Sequence, residues 1–183
     1  MIEPESPPPT EELLRQACRL EVLARKPGNV HPAASFPDLT CDDFLRSADI
    51  VSPVLAAAPV LGVGAVVLDA VTRTHAILGR NTNLGIVLLL APLAAVSRDR
   101  KLVEGVASVL AATTVDDARL VYRAIRAATP GGMGQVAEQD IAAVPTLPLV
   151  EVMRLAATRD RIAYQYAHDF RDIFELAVPT LLE

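Results

Sequence analysis

Two short polar clusters carry the side chains best suited to chemistry. The first is Arg25-Lys26-Pro27-Gly28-Asn29-Val30-His31. It gathers two cations, an amide and an imidazole, and its Pro-Gly pair sets a turn that can aim Lys26 and Asn29 into one cleft. A lysine ammonium there acts as a point charge for phosphate. The second is Arg80-Asn81-Thr82-Asn83-Leu84-Gly85, which runs straight into the apolar residues 86–93. Asn81 or Thr82 can cap a helix that begins here, its oxygen accepting an N–H that has no partner within the helix. The remaining free N–H groups and the helix dipole attract phosphate. Gly85 lets a ligand or a second helix approach the backbone. Each cluster also has a plain structural reading: a helix-ending turn with solvated basic residues, and a capped core helix with a small residue at a crossing.

Between the clusters lie Asp42, Asp43, Arg46 and Asp49. Asp42, Arg46 and Asp49 fall at i, i+4 and i+7 and share one helical face. Such a face can hold Mg²⁺ with substrate phosphates completing the shell, or can stand as a solvated, salt-bridged surface. Asp69 and His75 sit on the helix leading to the second cluster, where a lone histidine is the ordinary structural residue. Pro130-Gly131-Gly132-Met133-Gly134 lacks a Gly-Lys-Ser/Thr ending and follows no strand, so it fits neither phosphate-loop nor dinucleotide patterns. It reads as a turn able to close over a ligand. Tyr164, Tyr166, His168 and Asp169 stud the last helix.

The elements that must position these groups are helical throughout. Apolar spacing predicts a helix over residues 11–25, capped by Thr10 and stopped by Pro27-Gly28, followed by a loop with three prolines. Thr40 caps a second helix, with Asp43 in a weak capping box and a bend expected at Pro53. A third runs over residues 64–78 to a C-cap at Gly79. A fourth leaves the second cluster and bends at Pro92. Residues 102–112 and 115–128 pair through Thr113-Thr114, whose hydroxyls can cap the second of them. Pro148 opens the next helix in its first turn, and residues 159–177 complete the series. No segment alternates as a strand does. The expected architecture is all-α: a disordered leader over residues 1–9, then one helical domain over 10–183 with two ligand-facing loops.

A chain of 183 residues suits one domain, and 51% hydrophobic content supplies a core. The net charge of -5 gives no support for a nucleic-acid partner. An acidic substrate would therefore need local cations such as Arg25, Lys26, Arg73 and Arg80. Two cysteines, Cys18 and Cys41, make neither a disulfide framework nor a metal cluster, and they suit a reducing cytoplasm. The acidic, proline-rich start lacks the features of a signal peptide. Residues 50–68 carry no charge and are long enough to span a bilayer. Pro53, Pro59, Gly62 and Gly64 interrupt that stretch and no Trp or Tyr frames it, so two buried helices meeting at Pro59 are expected instead of a membrane span.

Three motifs in order carry a family resemblance. Lys26-Pro27-Gly28-Asn29-Val30-His31 resembles a Lys-Pro-Gly-x-Val-[Asp/His] motif, Phe44-Leu45-Arg46-Ser47-Ala48 a Phe-x-x-Ser-Ala helix, and Asn81-Thr82-Asn83-Leu84-Gly85 an Asn-Thr-x-x-Gly motif. The family is triphosphoribosyl-dephospho-CoA synthase and its relatives, and the resemblance is good over roughly residues 10–95. It implies an all-helical transferase that joins ATP to 3′-dephospho-CoA and releases adenine, making the precursor of the prosthetic group of citrate lyase and malonate decarboxylase. Two departures stand out. The reference enzymes usually carry His-Lys where this chain has Asn83-Leu84, and they continue to later Asp-Thr-Asn and Arg-Gly-Gly motifs, so a truncated or divergent member is expected.

The implied chemistry is substitution at the ribose C1′ of ATP through an oxocarbenium-like transition state. It requires a carboxylate base, a donor to the leaving purine and cations on the triphosphate. By resemblance, Lys26, Gly28, Asn29, Arg80, Asn81, Thr82, Asn83 and Gly85 form the nucleotide site. Asp42, Asp43 and Asp49 are candidates for base or metal ligand, Asp42 and Asp49 for Mg²⁺, and His31 for donation to the leaving base. The expected ligands are ATP as substrate, Mg²⁺ and dephospho-CoA, with a homodimer among the expected states and neither nucleic acid nor membrane as partner. Two alternatives accompany this reading: a nucleotide-dependent transfer in one-carbon, methanopterin-type cofactor metabolism, and a non-catalytic helical scaffold that binds a nucleotide or a protein.

Overall fold

The computed structural model describes residues 7–128 and 138–183. They form ten α-helices: α1 (Thr10–Leu23), α2 (Cys41–Leu55), α3 (Ala58–Leu61), α4 (Val63–Leu78), α5 (Leu84–Ala94), α6 (Leu102–Ala111), α7 (Val115–Ala128), α8 (Leu149–Ala156), α9 (Arg161–Ala167) and α10 (Val178–Leu182). A π-helical turn, Ile173–Ala177, leads into α10. The described residues contain no strand, and the fold is all-α. The glycine-rich turn at 130–134 lies outside the described residues.

Local signals set most helix ends. Thr40 and Asp43 make the expected capping box: the Thr40 hydroxyl accepts the Asp43 N–H at 3.3 Å, and the Asp43 carboxylate accepts the Thr40 N–H at 2.9 Å. Thr114 and Asp117 build a second box at the start of α7. Gly79 closes α4 in the left-handed region, at φ 69°. α1 differs from expectation, because Thr10 is its first residue instead of its cap and no side chain caps it. Pro148 likewise stands just before α8 instead of inside it.

The uncharged stretch 50–68 divides into three pieces, not two. α2 runs through Pro53 to Leu55, α3 takes Pro59 in its first turn, and α4 begins after Gly62 at φ 84°. Among the described residues no helix is long and apolar enough to cross a membrane. The last predicted helix also breaks. α9 stops at Ala167, and Asp169 and Phe170 take φ of 51° and 61°. That unfavourable backbone is offset by the burial of Phe170, which is sealed in the core beside Tyr166, whose hydroxyl donates to the Leu88 carbonyl at 2.6 Å.

α4 is the centre of the packing, with α2 on one side and α7 on another. Val51 and Leu55 of α2, Val66, Val67 and Ala70 of α4, Val87 and Ala91 of α5 and Val121 of α7 are all sealed from solvent. α4 and α7 touch backbone to backbone at Gly64, where a Cβ would stand 2.6 Å from Asp117 Cα. The Asp117 carboxylate accepts the Gly64 N–H at 2.9 Å, so one side chain serves the N-termini of both helices. α1 lies along α2 through Leu14, Cys18 and Val22. This arrangement brings the C-terminal end of α1 to the N-terminal end of α5.

Candidate functional site

The first cluster folds as a type II turn. Asn29 N–H donates to the Lys26 carbonyl at 3.3 Å, with Pro27 in the second position and Gly28 at φ 76° in the third. Space around Gly28 is open, so its backbone angle is what requires glycine. The turn leaves Asn29 exposed and buries Val30. Two further tight turns follow, closed by backbone pairs between His31 and Ala34 and between Phe36 and Leu39. Arg80 secures this loop from the other cluster: its guanidinium donates to the Asp38 and Leu78 carbonyls and pairs with Asp43 at 3.6 Å.

In the second cluster the residues divide by direction. The N-cap position of α5 falls to Asn83, with no side-chain cap, and not to Asn81 or Thr82 as expected. Asn81 instead ties the turn before the helix, its Oδ1 accepting the N–H groups of Asn83 at 3.3 Å and Leu84 at 3.1 Å. Thr82 turns inward, its buried hydroxyl bonded to that of Ser47 on α2. Asn83 is also buried, and its amide donates to Thr74 Oγ1 at 3.3 Å. Gly85 answers to a helix crossing, since a Cβ there would meet Ile162 Cδ1 of α9 at 3.2 Å.

The two clusters meet at a cleft of about 300 Å³. One part of its wall is polar, with Glu21 from α1, Asn29, and residues 81–83 before α5. Another part is apolar, with Val30, Phe36, Leu39 and, from α2, Phe44. Of the expected nucleotide-site residues, Asn29, Asn81, Thr82, Asn83 and Gly85 line it. Lys26 does not line the cleft; its ammonium lies 2.7 Å from the Glu21 carboxylate and also donates to the Glu21 carbonyl. Gly28 shapes the turn and Arg80 braces the loop behind it. His31 Nδ1 accepts the Ala33 N–H at 3.2 Å, and His31 does not line the cleft.

The aspartates have other work. Asp43 closes its capping box and pairs with Arg80; bonding to the Thr40 backbone N–H is the chief cause holding its carboxyl below the ordinary range, with the Thr40 hydroxyl, Arg80 and Arg46 adding to it. Asp49 faces α1, 3.3 Å from Arg15 and 3.2 Å from Arg19. Asp42 is exposed. None of the three lines the cleft. Among the described residues no group of three or more His, Cys, Asp or Glu side chains is placed to hold a metal ion. A resident Mg²⁺ on Asp42 and Asp49 does not fit this arrangement.

Sequence reasoning missed Glu21, Phe36 and Leu39. One signal for Glu21 was present: an anion in the last turn of a helix opposes the dipole unless something pairs it. Glu21 is such a residue in α1, and Lys26 is its partner.

Residues 9–183 match the CitG family, described as ATP:dephospho-CoA triphosphoribosyl transferase. Neither the curated proteins nor the solved structures compared with the chain gave a match.

Proposed function

The chain belongs to the ATP:dephospho-CoA triphosphoribosyl transferase family, and we propose that it moves the triphosphoribosyl group of ATP onto the 2′-hydroxyl of 3′-dephospho-CoA. Atom balance fixes the second product. ATP without its triphosphoribosyl group is adenine, so the C1′–N9 bond breaks as the new C1′–O bond forms. The hydroxyl loses a proton and the purine gains one.

The observation that carries this reading is that all three family-like motifs meet at one cleft. Asn29 and Val30 come from the first, Phe44 from the second, and residues 81–85 from the third. The second motif joins the walls: Phe44 lines the cleft, Ser47 bonds Thr82, and Ala48 is buried in the core. In this reading the start of α5 attracts the triphosphate through its dipole and free N–H groups. The amides of Asn29 and Asn81 orient sugar hydroxyls. Phe36 and Phe44, with Val30 and Leu39, take the purine, whose π-face packs well on aromatic and apolar side chains. Mg²⁺ arrives as part of the nucleotide, bound mainly through phosphates, as is usual for this ion. The free cysteines Cys18 and Cys41 support a reducing cytoplasm as the compartment.

The test is direct. Purified protein incubated with MgATP and 3′-dephospho-CoA should release adenine in step with a product heavier by one triphosphoribosyl group, read by chromatography and mass spectrometry. Adenine no higher than in a protein-free control would reject the reading.

A further inference from the structure

We propose that Glu21 is the carboxylate that accepts the proton of the attacking hydroxyl, and that Lys26 is the residue that positions it; the assignment rests on the transfer reading above. Among the described residues of the cleft wall, Glu21 is the acidic one. Of the other candidate carboxylates, Asp43 is engaged in its capping box and Asp49 with Arg15 and Arg19, and exposed Asp42 does not line the cleft. Glu21 stands in the last turn of α1, half-buried, where the helix gives way to the type II turn. Lys26 folds back across that junction, donating both to the Glu21 carbonyl and, at 2.7 Å, to Oε1. Its two contacts fix the carboxylate to the backbone that carries it. Oε2 has no hydrogen bond to any described residue, so Lys26 holds one oxygen while the other remains available to a ligand in the cleft that Glu21 lines.

The charges order the substrate within the cleft. A carboxylate repels a triphosphate, while the start of α5 attracts one. The phosphates therefore lie at the Asn81–Leu84 end, and the ribose lies toward Glu21. The step then balances as follows. The acceptor hydroxyl gives its proton to Glu21 Oε2, and its oxygen lone pair forms the bond to C1′. The C1′–N9 bonding pair leaves with adenine, which takes a proton from water. Glu21 returns its proton to solvent. This moves Lys26 from phosphate ligand to positioning residue.

The experiment compares wild type, Glu21→Gln, Glu21→Asp and Lys26→Met in adenine release, with MgATP affinity measured by calorimetry. Loss of a general base costs about 10²- to 10⁴-fold. Glu21→Gln should lose that much kcat while binding MgATP within about threefold of wild type, since the group acts on the proton and not on the nucleotide. The acid limb of the wild-type kcat/KM profile should vanish in Glu21→Gln. Lys26→Met should keep the limb but lower kcat, because the carboxylate remains and only its placement is lost. A Glu21→Gln variant that keeps a third or more of wild-type kcat, or retains the acid limb, overturns the assignment and leaves the transfer reading standing. A wild type that releases no adenine overturns both. Should Glu21→Gln fail to fold, Glu21→Asp decides: a shortened carboxylate should lower kcat about tenfold or more at unchanged MgATP affinity, and an undiminished kcat overturns the assignment.

Discussion

Removing one hydroxyl of the Ser47–Thr82 pair strands the other. Both residues are sealed, at 2% and 7% exposure, and each hydroxyl bonds the other across the join between α2 and the turn before α5. A typical net hydrogen bond contributes about 1 kcal/mol, and a buried polar group left without a partner costs about 1–3 kcal/mol. Ser47→Ala should therefore destabilise the protein by about 1–3 kcal/mol, and Thr82→Val by a similar amount. For a chain of this length, each kcal/mol lowers Tm by about 2–4 °C. The double variant replaces both partners with apolar groups and removes the stranded hydroxyl. Its loss should be well below the sum of the singles, with a coupling of about 1–2 kcal/mol. Urea and thermal unfolding of the four proteins, followed by circular dichroism, give the cycle. Additivity within about 0.5 kcal/mol would refute the claim that this bond joins α2 to the α5 start.

Three further outcomes follow from the same geometry. Gly28→Ala places a Cβ on a residue at φ 76°; it should cost about 1–2 kcal/mol of stability, measurable by denaturant titration, and slow adenine release by shifting Asn29. Asp43 has a carboxyl held below its ordinary 3.8, so it contributes stability that is full above that value and lost as pH falls through the lower folded one; Tm of Asp43→Asn should fall less steeply over that acid range than wild-type Tm, and parallel curves would contradict the sign. Leu84 is the half-buried first residue of α5 and lines the cleft; Leu84→Lys should tighten MgATP binding by about tenfold through a charge-assisted contact, and unchanged calorimetric affinity would place the triphosphate elsewhere.

The parts of the fold that the sequence made legible are those whose cause lies within a few residues. The Thr40–Asp43 box needs only a hydroxyl and a carboxylate three apart. Gly79 ends α4 because its own backbone angle suits glycine. Pro27-Gly28 specifies its turn in the same way. The break after α9 has no such local signature. Asp169 and Phe170 take left-handed backbone angles because Phe170 has a buried place beside Tyr166. That place is built by helices distant in sequence, so the helical spacing of residues 159–177 ran through it unmarked.

The site divides along the same line. Helical periodicity puts Asp42 and Asp49 on one side of α2, but periodicity says which residues share a face and not what that face meets. α1 settled the matter by bringing Arg15 and Arg19 to Asp49. Asp43 was spoken for by the box that starts its own helix, and a carboxylate spent on a cap is poorly placed to be a base as well. The same periodicity read on the other side of α2 is informative. Phe44, Ser47 and Ala48 stand at i, i+3 and i+4 and so must share a face. One lines the cleft, one holds Thr82, and one is buried in the core. The short motif is thus the record of a docking face, one residue type for each job, and the second cluster is what docks there. That contact is also why the proposed base is sought away from α2. A helix face that carries the wall of the cleft has its aspartates on other faces, and the acidic side chain on the cleft wall comes from the neighbouring helix end, at Glu21.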